Sequence, residues 1–528
     1  MKPTTQFLIL SALLLAGCRV SQSDYFITAY GARDDGSTVN TAFIQRAIDA
    51  CHEAGGGRVI VPAGEFITGT MVLKSNVELH LQQGARLVGS LDTADYRVDG
   101  QRRGMLFAYR AKNITLSGEG EIDGRGSSFH RSDRAHMGKD FNRMVTRQKE
   151  AYMPAGTVPE DGPIAYDYRP GMLVVILQCE QVSIKDLTFR DSPVWTFRIA
   201  DCDGVAVTGI SILNNPLVPN SDGIHCTTSR NVRICGCDIR AGDDAIIVTG
   251  FGTQVGVSGD ITTRLDYTDR EYGNKTGYAE NVTVTNCILQ SRSAGIRVGY
   301  GINPIRNCIF SNMVIHGSNR GLGVFSRDNG SIENILFSDI IINNRLHSGH
   351  WWGNGEPIHV SAIRQNKDYP AGPVKNIRFR NIIAESESGI VLYGTPDAPL
   401  QDIQIENVSV HITRGKYTDL YGGNFDLRPV HTTDLGIFEH DIPALYGQFT
   451  ERLSIRDLAV SWGEDLPPWM THAVYCSDFS DLTIDGFYGK PARSGLPAIE
   501  LVDGSGASLE NLRTSGDGIR LVREIVAR

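Results

Sequence analysis

An excess of basic residues is what this 528-residue sequence lacks: 51 lysines and arginines face 60 aspartates and glutamates, a net charge of −9. That excludes a nucleic-acid binder resting on general basicity, though not a local basic cleft. Beyond the N-terminus there is no apolar run near the roughly 20 residues of a membrane-spanning helix. No second cysteine pair at ligand spacing accompanies Cys235-Gly-Cys237, so no zinc pattern is present. No Gly-X-Y period accompanies the 57 glycines, which excludes collagen. Nor is there a sign of disorder, since 41% apolar and 21% charged residues are ordinary globular usage.

The first eighteen residues read as an export signal. Lys2 supplies the positive start, and Phe7 to Ala16 is an apolar run of about ten residues. The run ends in Leu15-Ala16-Gly17-Cys18, which resembles a bacterial lipobox. The resemblance implies removal of residues 1–17, lipidation at Cys18, a tether over 18–25 and one folded domain over 26–528. Within that domain, 26–110 is expected to form the N-terminal cap and first coils. The expected location is the outer membrane of a Gram-negative bacterium, on its periplasmic face or the cell surface. The lipid at Cys18 is then the only membrane contact. Nine further cysteines, an odd number, read mainly as small buried residues.

A weak repeat runs along the chain. Asn113-Ile-Thr-Leu-Ser-Gly, Gln181-Val-Ser-Ile-Lys-Asp, Gly204-Val-Ala-Val-Thr-Gly and Asn231-Val-Arg-Ile-Cys-Gly share one pattern, as do segments beginning at Asn281, Asn334, Asn376 and Asp402. Each alternates with period two, the mark of a strand with one buried face. The spacing is 23 residues from 181 to 204 and 27 from 204 to 231. Units of that size, each with short strands and turn residues, indicate an all-β solenoid; propeller blades are longer. Phe43, Ile44, Ala47, Ile48 and Cys51 fall at helical spacing, with Asn40 or Thr41 as candidate caps and Gly55-Gly56-Gly57 as terminator. This helix is assigned to the open N-terminal end of the solenoid. Residues 131–170 and 252–278 break the period and read as inserted loops that wall a cleft.

Asn220-Ser221-Asp222-Gly223 and Gly242-Asp243-Asp244 set Asp222 and Asp243 21 residues apart, about one coil. Residues one coil apart stack roughly 5 Å apart along the axis. Three carboxyl groups then share a small patch, and their mutual repulsion raises at least one pKa. A protonated acid beside ionised carboxylates is what glycosidic cleavage requires. Asp-Gly turns and a calcium site are competing readings of the same residues.

Taken in order, these motifs resemble glycoside hydrolase family 28, the polygalacturonases and rhamnogalacturonan hydrolases. Tyr30-Gly31-Ala32, Gly118 to Gly124 and Ser192-Pro193-Val194-Trp195 contribute to the resemblance, with Asn220-Ser221-Asp222 and Gly242-Asp243-Asp244 at its centre. It implies a right-handed parallel β-helix that hydrolyses an acidic polysaccharide with inversion. It further implies Asp243 as general acid, with Asp222 and Asp244 holding and deprotonating water. No cofactor and no metal is expected, because acid, base and water suffice. Two departures stand out. Arg292-Ser293-Ala294 replaces the family's Gly-His-Gly, and Gly323-Val324-Phe325 replaces its Arg-Ile-Lys. They direct the expectation away from plain polygalacturonan, towards rhamnogalacturonan, a decorated pectin or another acidic glycan. Arg292, Arg297 and Arg327 are candidate substrate contacts because guanidinium pairs with carboxylate. His225 is a candidate beside Asp222, and Trp351-Trp352 is a candidate sugar-stacking wall. Glu356, His347, His350 and His359 could join the cleft, while Gly423 to Pro429 and His440 to Pro443 carry no assigned role. Two other classes remain open from sequence, a β-helix lyase and a non-catalytic glycan-binding lipoprotein.

Overall fold

The computed structural model describes residues 23–98, 101–102, 104–136, 146–149, 160–251, 277–347, 349, 351–364, 370–428, 436–514 and 520–525. The signal segment with Cys18, His350, Pro429 and nearly all of the 252–278 interruption lie outside them.

Alternating residues build the coil. Ile114, Val182, Val205, Val232, Val282, Cys308, Ile335, Ile377 and Ile403 sit in one register column, each paired in parallel with the next. All nine are buried, so each coil hides its inward row against its neighbours. The phenylalanines deepen the same stack: Phe310, Phe337 and Phe379 lie with ring centroids 4.9 and 5.0 Å apart. Three such faces make a right-handed parallel β-helix, the hand that crossovers between parallel strands nearly always take. Antiparallel strand pairs among the described residues occur only in three inserted hairpins.

The polar residue that opens each repeat turns the corner. Asn113, Gln181, Asn231, Asn281, Asn334, Asn376 and Asp402 all have φ between 54° and 59°. Short amide and carboxyl side chains tolerate this left-handed conformation. Asparagine adds a second contribution, because its amide bridges coils: Asn376 Nδ2 donates to Asn334 Oδ1 at 2.7 Å, and Asn334 Nδ2 to Asn307 Oδ1 at 3.2 Å.

Helix α1 (Thr41–Glu53) covers the first coil with Ile44, Ala47, Ile48 and Cys51. Phe43 is only half buried, under the Arg46 guanidinium. Asn40 occupies the cap position without capping; its side chain instead bonds Arg33 and Thr38 of the preceding loop. The first strand begins at Asp24, inside the segment expected as tether, and pairs with Arg58. The nine cysteines after Cys18 are unpaired; eight are buried and Cys235 is partly exposed.

One face is formed by the strands that follow Asp222 and Asp244. Its strands include Phe197–Ala200, Ile224–Thr227, Ile246–Gly250, Ala294–Gly301, Arg320–Ser326 and Glu356–Ala362. Their outward row reads Arg198, His225, Ile247, Arg297, Gly323 and His359. Two of the hairpins, His130–Ala135 with Ile164–Tyr166 and Asn424–Asp426 with Ile437–Glu439, reach this side of the helix.

Candidate active site

The acids sit at the corner just before these strands. Ile224 and Ile246 are register partners, so Asp222 and the Asp243-Asp244 pair occupy adjacent rungs. Backbone bonds lock the two corners: Gly223 N donates to Asp244 O at 3.0 Å, and Thr196 N to Asp222 O at 2.8 Å. Gly242 is required by close approach, since a Cβ there would lie 2.2 Å from Val218 O.

Each carboxyl has a different environment. Asp244 is buried; its Oδ1 accepts from Ala294 N at 2.8 Å, and its Oδ2 lies 2.9 Å from Arg297 Nε in an ion pair. Asp243 is the more exposed of the pair. Its Oδ1 accepts from Asp244 N at 3.0 Å and its Oδ2 from Asn220 Nδ2 at 3.4 Å. Burial, then the Asp244 charge, raise the Asp243 carboxyl to about 7 despite the opposing Arg297. Asp222 is buried, and burial together with Asp243 and Asp244 pushes it well above the carboxylate range. Its Oδ1 makes no hydrogen bond among the described residues. His225 Nδ1 also makes none there and lies 3.8 Å from Asp222 Oδ2. Burial first, then Arg297 and Arg198, hold the imidazole well below its usual range, so it is neutral. The Trp195 ring packs on it at 3.9 Å, and Nε2 meets Thr249 Oγ1 at 3.2 Å.

The other residues singled out from sequence divide sharply. Arg297 joins the acids. Arg292 does not face an open cleft; its Nη2 pairs with Asp161 Oδ1 at 3.1 Å. Arg327 is wholly buried, donating to Ser326 O, Ser361 O and Leu427 O, because no water is available there to satisfy a guanidinium. Trp351 is buried too, and its indole donates to Asp161 O at 2.7 Å, so it anchors an insertion where a sugar wall was expected. Trp352 remains partly exposed beside Ser293, whose hydroxyl donates to its carbonyl. His347 is buried against Asp161 and Gly317 O, and His359 and Glu356 are wholly buried. Among the described residues no group of three or more His, Cys, Asp or Glu side chains could hold a metal ion.

Two residues escape the sequence reading. Arg169 lies in the non-periodic insertion, stacked over Tyr166 at 3.7 Å. Its Nη1 donates to Pro219 O at 2.7 Å and its Nη2 to Asn220 Oδ1 at 3.1 Å, which turns the Asn220 amide nitrogen towards Asp243. Asp161, in the same insertion, gathers Arg292, Arg345 and His347. Neither belongs to a period or motif, so no local signal marks them.

Known proteins are similar to parts of this chain. Residues 167–421, a stretch that contains all three acids, match the model of the glycosyl hydrolases family 28. A probable polygalacturonase of Vitis vinifera is 23% identical over 435 residues, 76% of this chain and 77% of that one. An exo-poly-alpha-D-galacturonosidase of Dickeya chrysanthemi is 32% identical over 263 residues, 43% of this chain and 42% of that one. The crystal structure of an exopolygalacturonase from Thermotoga maritima shares the fold, with a TM-score of 0.60 and 20% identity over 83% of this chain and 92% of that chain. The similarity to the glycosyl hydrolases family 28 thus spans the stretch of this chain that carries Asp222, Asp243 and Asp244.

Proposed function

We propose that this protein hydrolyses α-glycosidic, galacturonosyl-type linkages in pectin, rhamnogalacturonan or a related acidic glycan, with inversion at the anomeric carbon. The observation that carries the reading is the split among three carboxyls on adjacent rungs. Asp243 is raised to about 7 and partly exposed, whereas Asp244 is in contact with Arg297. Asp243 gives its proton to the leaving glycosidic oxygen as the bond to the anomeric carbon breaks. Asp222, through the unbonded Oδ1, and Asp244 hold a water on the opposite face of the sugar. The water oxygen bonds to the anomeric carbon, and its proton passes to Asp244. Exchange with solvent then moves one proton back to Asp243. The acidic character of the substrate is supported by the names of two relatives, a probable polygalacturonase and an exo-poly-alpha-D-galacturonosidase.

The decisive experiment combines a panel of pectic polymers and oligosaccharides with Asp243→Asn. The wild type releases sugar whose first-formed anomer, followed by NMR, is inverted. Asp243→Asn lowers turnover by about 10³-fold or more while leaving binding in place. Retained turnover in the variant would refute the acid assignment.

The lipobox-like Leu15 to Cys18 supports a further part of the proposal, export and tethering by lipid at Cys18. Radiolabelled palmitate incorporated into the wild type and lost in Cys18→Ser would bear this out; a fully soluble, unlabelled wild type would contradict it.

A further inference from the structure

We infer that the site takes the end of a sugar chain and not its middle, with the body of the chain lying over the earlier coils; the inference rests on the hydrolase reading above. The outward row of the catalytic face passes from Arg297 to Gly323 on the next rung, roughly 5 Å on. A Cβ at Gly323 would lie 2.6 Å from the Phe325 ring, so that ring lies over the glycine and fills the floor beside Arg297. Gly323-Val324-Phe325 is the stretch that lacks both cations of the related Arg-Ile-Lys motif. It is a plug, not an emptied sugar subsite.

The plug is built in. Arg320 and Arg327 place their guanidinium carbons 4.8 and 5.2 Å from the Phe325 centroid, and His359 on the following rung meets it edge-on at 5.2 Å. Phe325, Arg327 and His359 are wholly buried. Above them runs the inserted hairpin: Arg320 Nη2 donates to Asp426 O at 2.7 Å and Arg327 Nη2 to Leu427 O at 2.8 Å. Asp426 pairs with Arg428, whose Nη2 donates to Trp351 O at 2.6 Å, and Gly353 N donates to Asp426 Oδ2 at 2.6 Å. Buried, mutually paired charges of this kind do not swing aside to admit a polymer, because each movement would leave a desolvated charge alone.

In the opposite direction the floor row of Ile247, His225 and Arg198 is buried as well. The difference lies along the corner that carries the acids, where Arg292, Ser293 and Asn319 are buried on the later rungs. On the earlier ones Asn220, Asn215 and Asp191 are partly exposed and Ser127 is exposed. Asn215 Nδ2 donates to Ser127 Oγ at 3.1 Å, and Ser127 Oγ to Asp191 Oδ1 at 2.7 Å, a polar strip suited to sugar hydroxyls. The plug stands on the rung next to Arg297, roughly 5 Å on, so a chain seated at Arg297 cannot extend past it. Cleavage then removes short pieces from a terminus.

The test follows viscosity, reducing ends and product size together as the full chain acts on polygalacturonan, rhamnogalacturonan and size-graded oligosaccharides of each. The expected result is a single short product from the first time points, with reducing ends accumulating while viscosity stays near its starting value. An early collapse of viscosity with products of many sizes overturns the inference and leaves the hydrolase reading standing. No product from any substrate overturns the hydrolase reading and takes this inference with it.

Discussion

Arg297 Nε stands 2.9 Å from Asp244 Oδ2, and both side chains are buried. Three carboxyls on adjacent rungs repel one another, and this guanidinium is the cation that all of them feel. Arg297→Ala leaves the charge of Asp244 buried without its partner, a loss of about 3–5 kcal/mol for such pairs. The expected outcome is a lower melting temperature and the loss of nearly all activity. Arg297→Lys keeps the charge but not the planar guanidinium, and is expected to recover stability more fully than turnover. Equal recovery of both would mean that Arg297 acts through stability alone.

The raised Asp243 carboxyl sets a pH limit. The acid must be protonated to act, so activity is expected to fall as pH rises through about 7. A pH profile of kcat/KM, measured at constant ionic strength, checks the position of that limb.

Stability has the same sign. Asp222 has a folded-state pKa raised above its unfolded value, by burial and then by Asp243 and Asp244. Such an acid is most compatible with the fold below the unfolded carboxylate pKa, and its contribution is lost as pH rises towards the folded one. Asp222→Asn is therefore expected to raise the melting temperature at pH 8 relative to wild type, with little difference at pH 4, while reducing activity. Calorimetry at the two pH values decides it.

Arg169 acts through Asn220. With Arg169→Gln, the Asn220 amide loses the donor that orients it and can turn its oxygen towards Asp243. The ionised form of Asp243 then loses a hydrogen bond, so its pKa rises. The expected readout is an alkaline activity limb shifted to higher pH, with kcat reduced about tenfold and KM changed less. A purely structural Arg169 would lower the melting temperature and leave the limb where it is.

Asp161 is a clamp. Its carboxyl meets Arg292, Arg345 and His347, and its backbone carbonyl receives the Trp351 indole. Asp161→Ala removes the common partner of two guanidinium groups and is expected to destabilise the protein by about 3 kcal/mol or more. Thermal unfolding of the variant measures it; a change within error would mean that these contacts are dispensable.

Local pattern marks some of these residues and leaves others hidden. Asn231-Val-Arg-Ile-Cys-Gly and its relatives announce strands because a half-buried strand needs every second residue to be apolar. The left-handed corners at Asn113 and Asn376 are legible for a similar local reason, since few side chains tolerate them. Asp222 and Asp243 can be brought together from spacing alone, because a solenoid converts one coil of chain into one rung of height. Arg327 and Trp351 carry chemistry that suits a sugar site, and only the hairpin and the insertion above them show that both are enclosed.

Sequence alone determined the coil, its corners and the meeting of three carboxyls, since each follows from short-range periodicity and a fixed rise per rung. Tertiary structure decided what surrounds them: the Arg169 to Asn220 contact, the Asp161 clamp, and Phe325 lying over Gly323 beneath a hairpin. The clamp and the hairpin contact join residues more than a hundred positions apart through segments that carry no repeat. Their pairing is set by which buried charges can satisfy one another in the closed molecule, and that is not written in any local pattern.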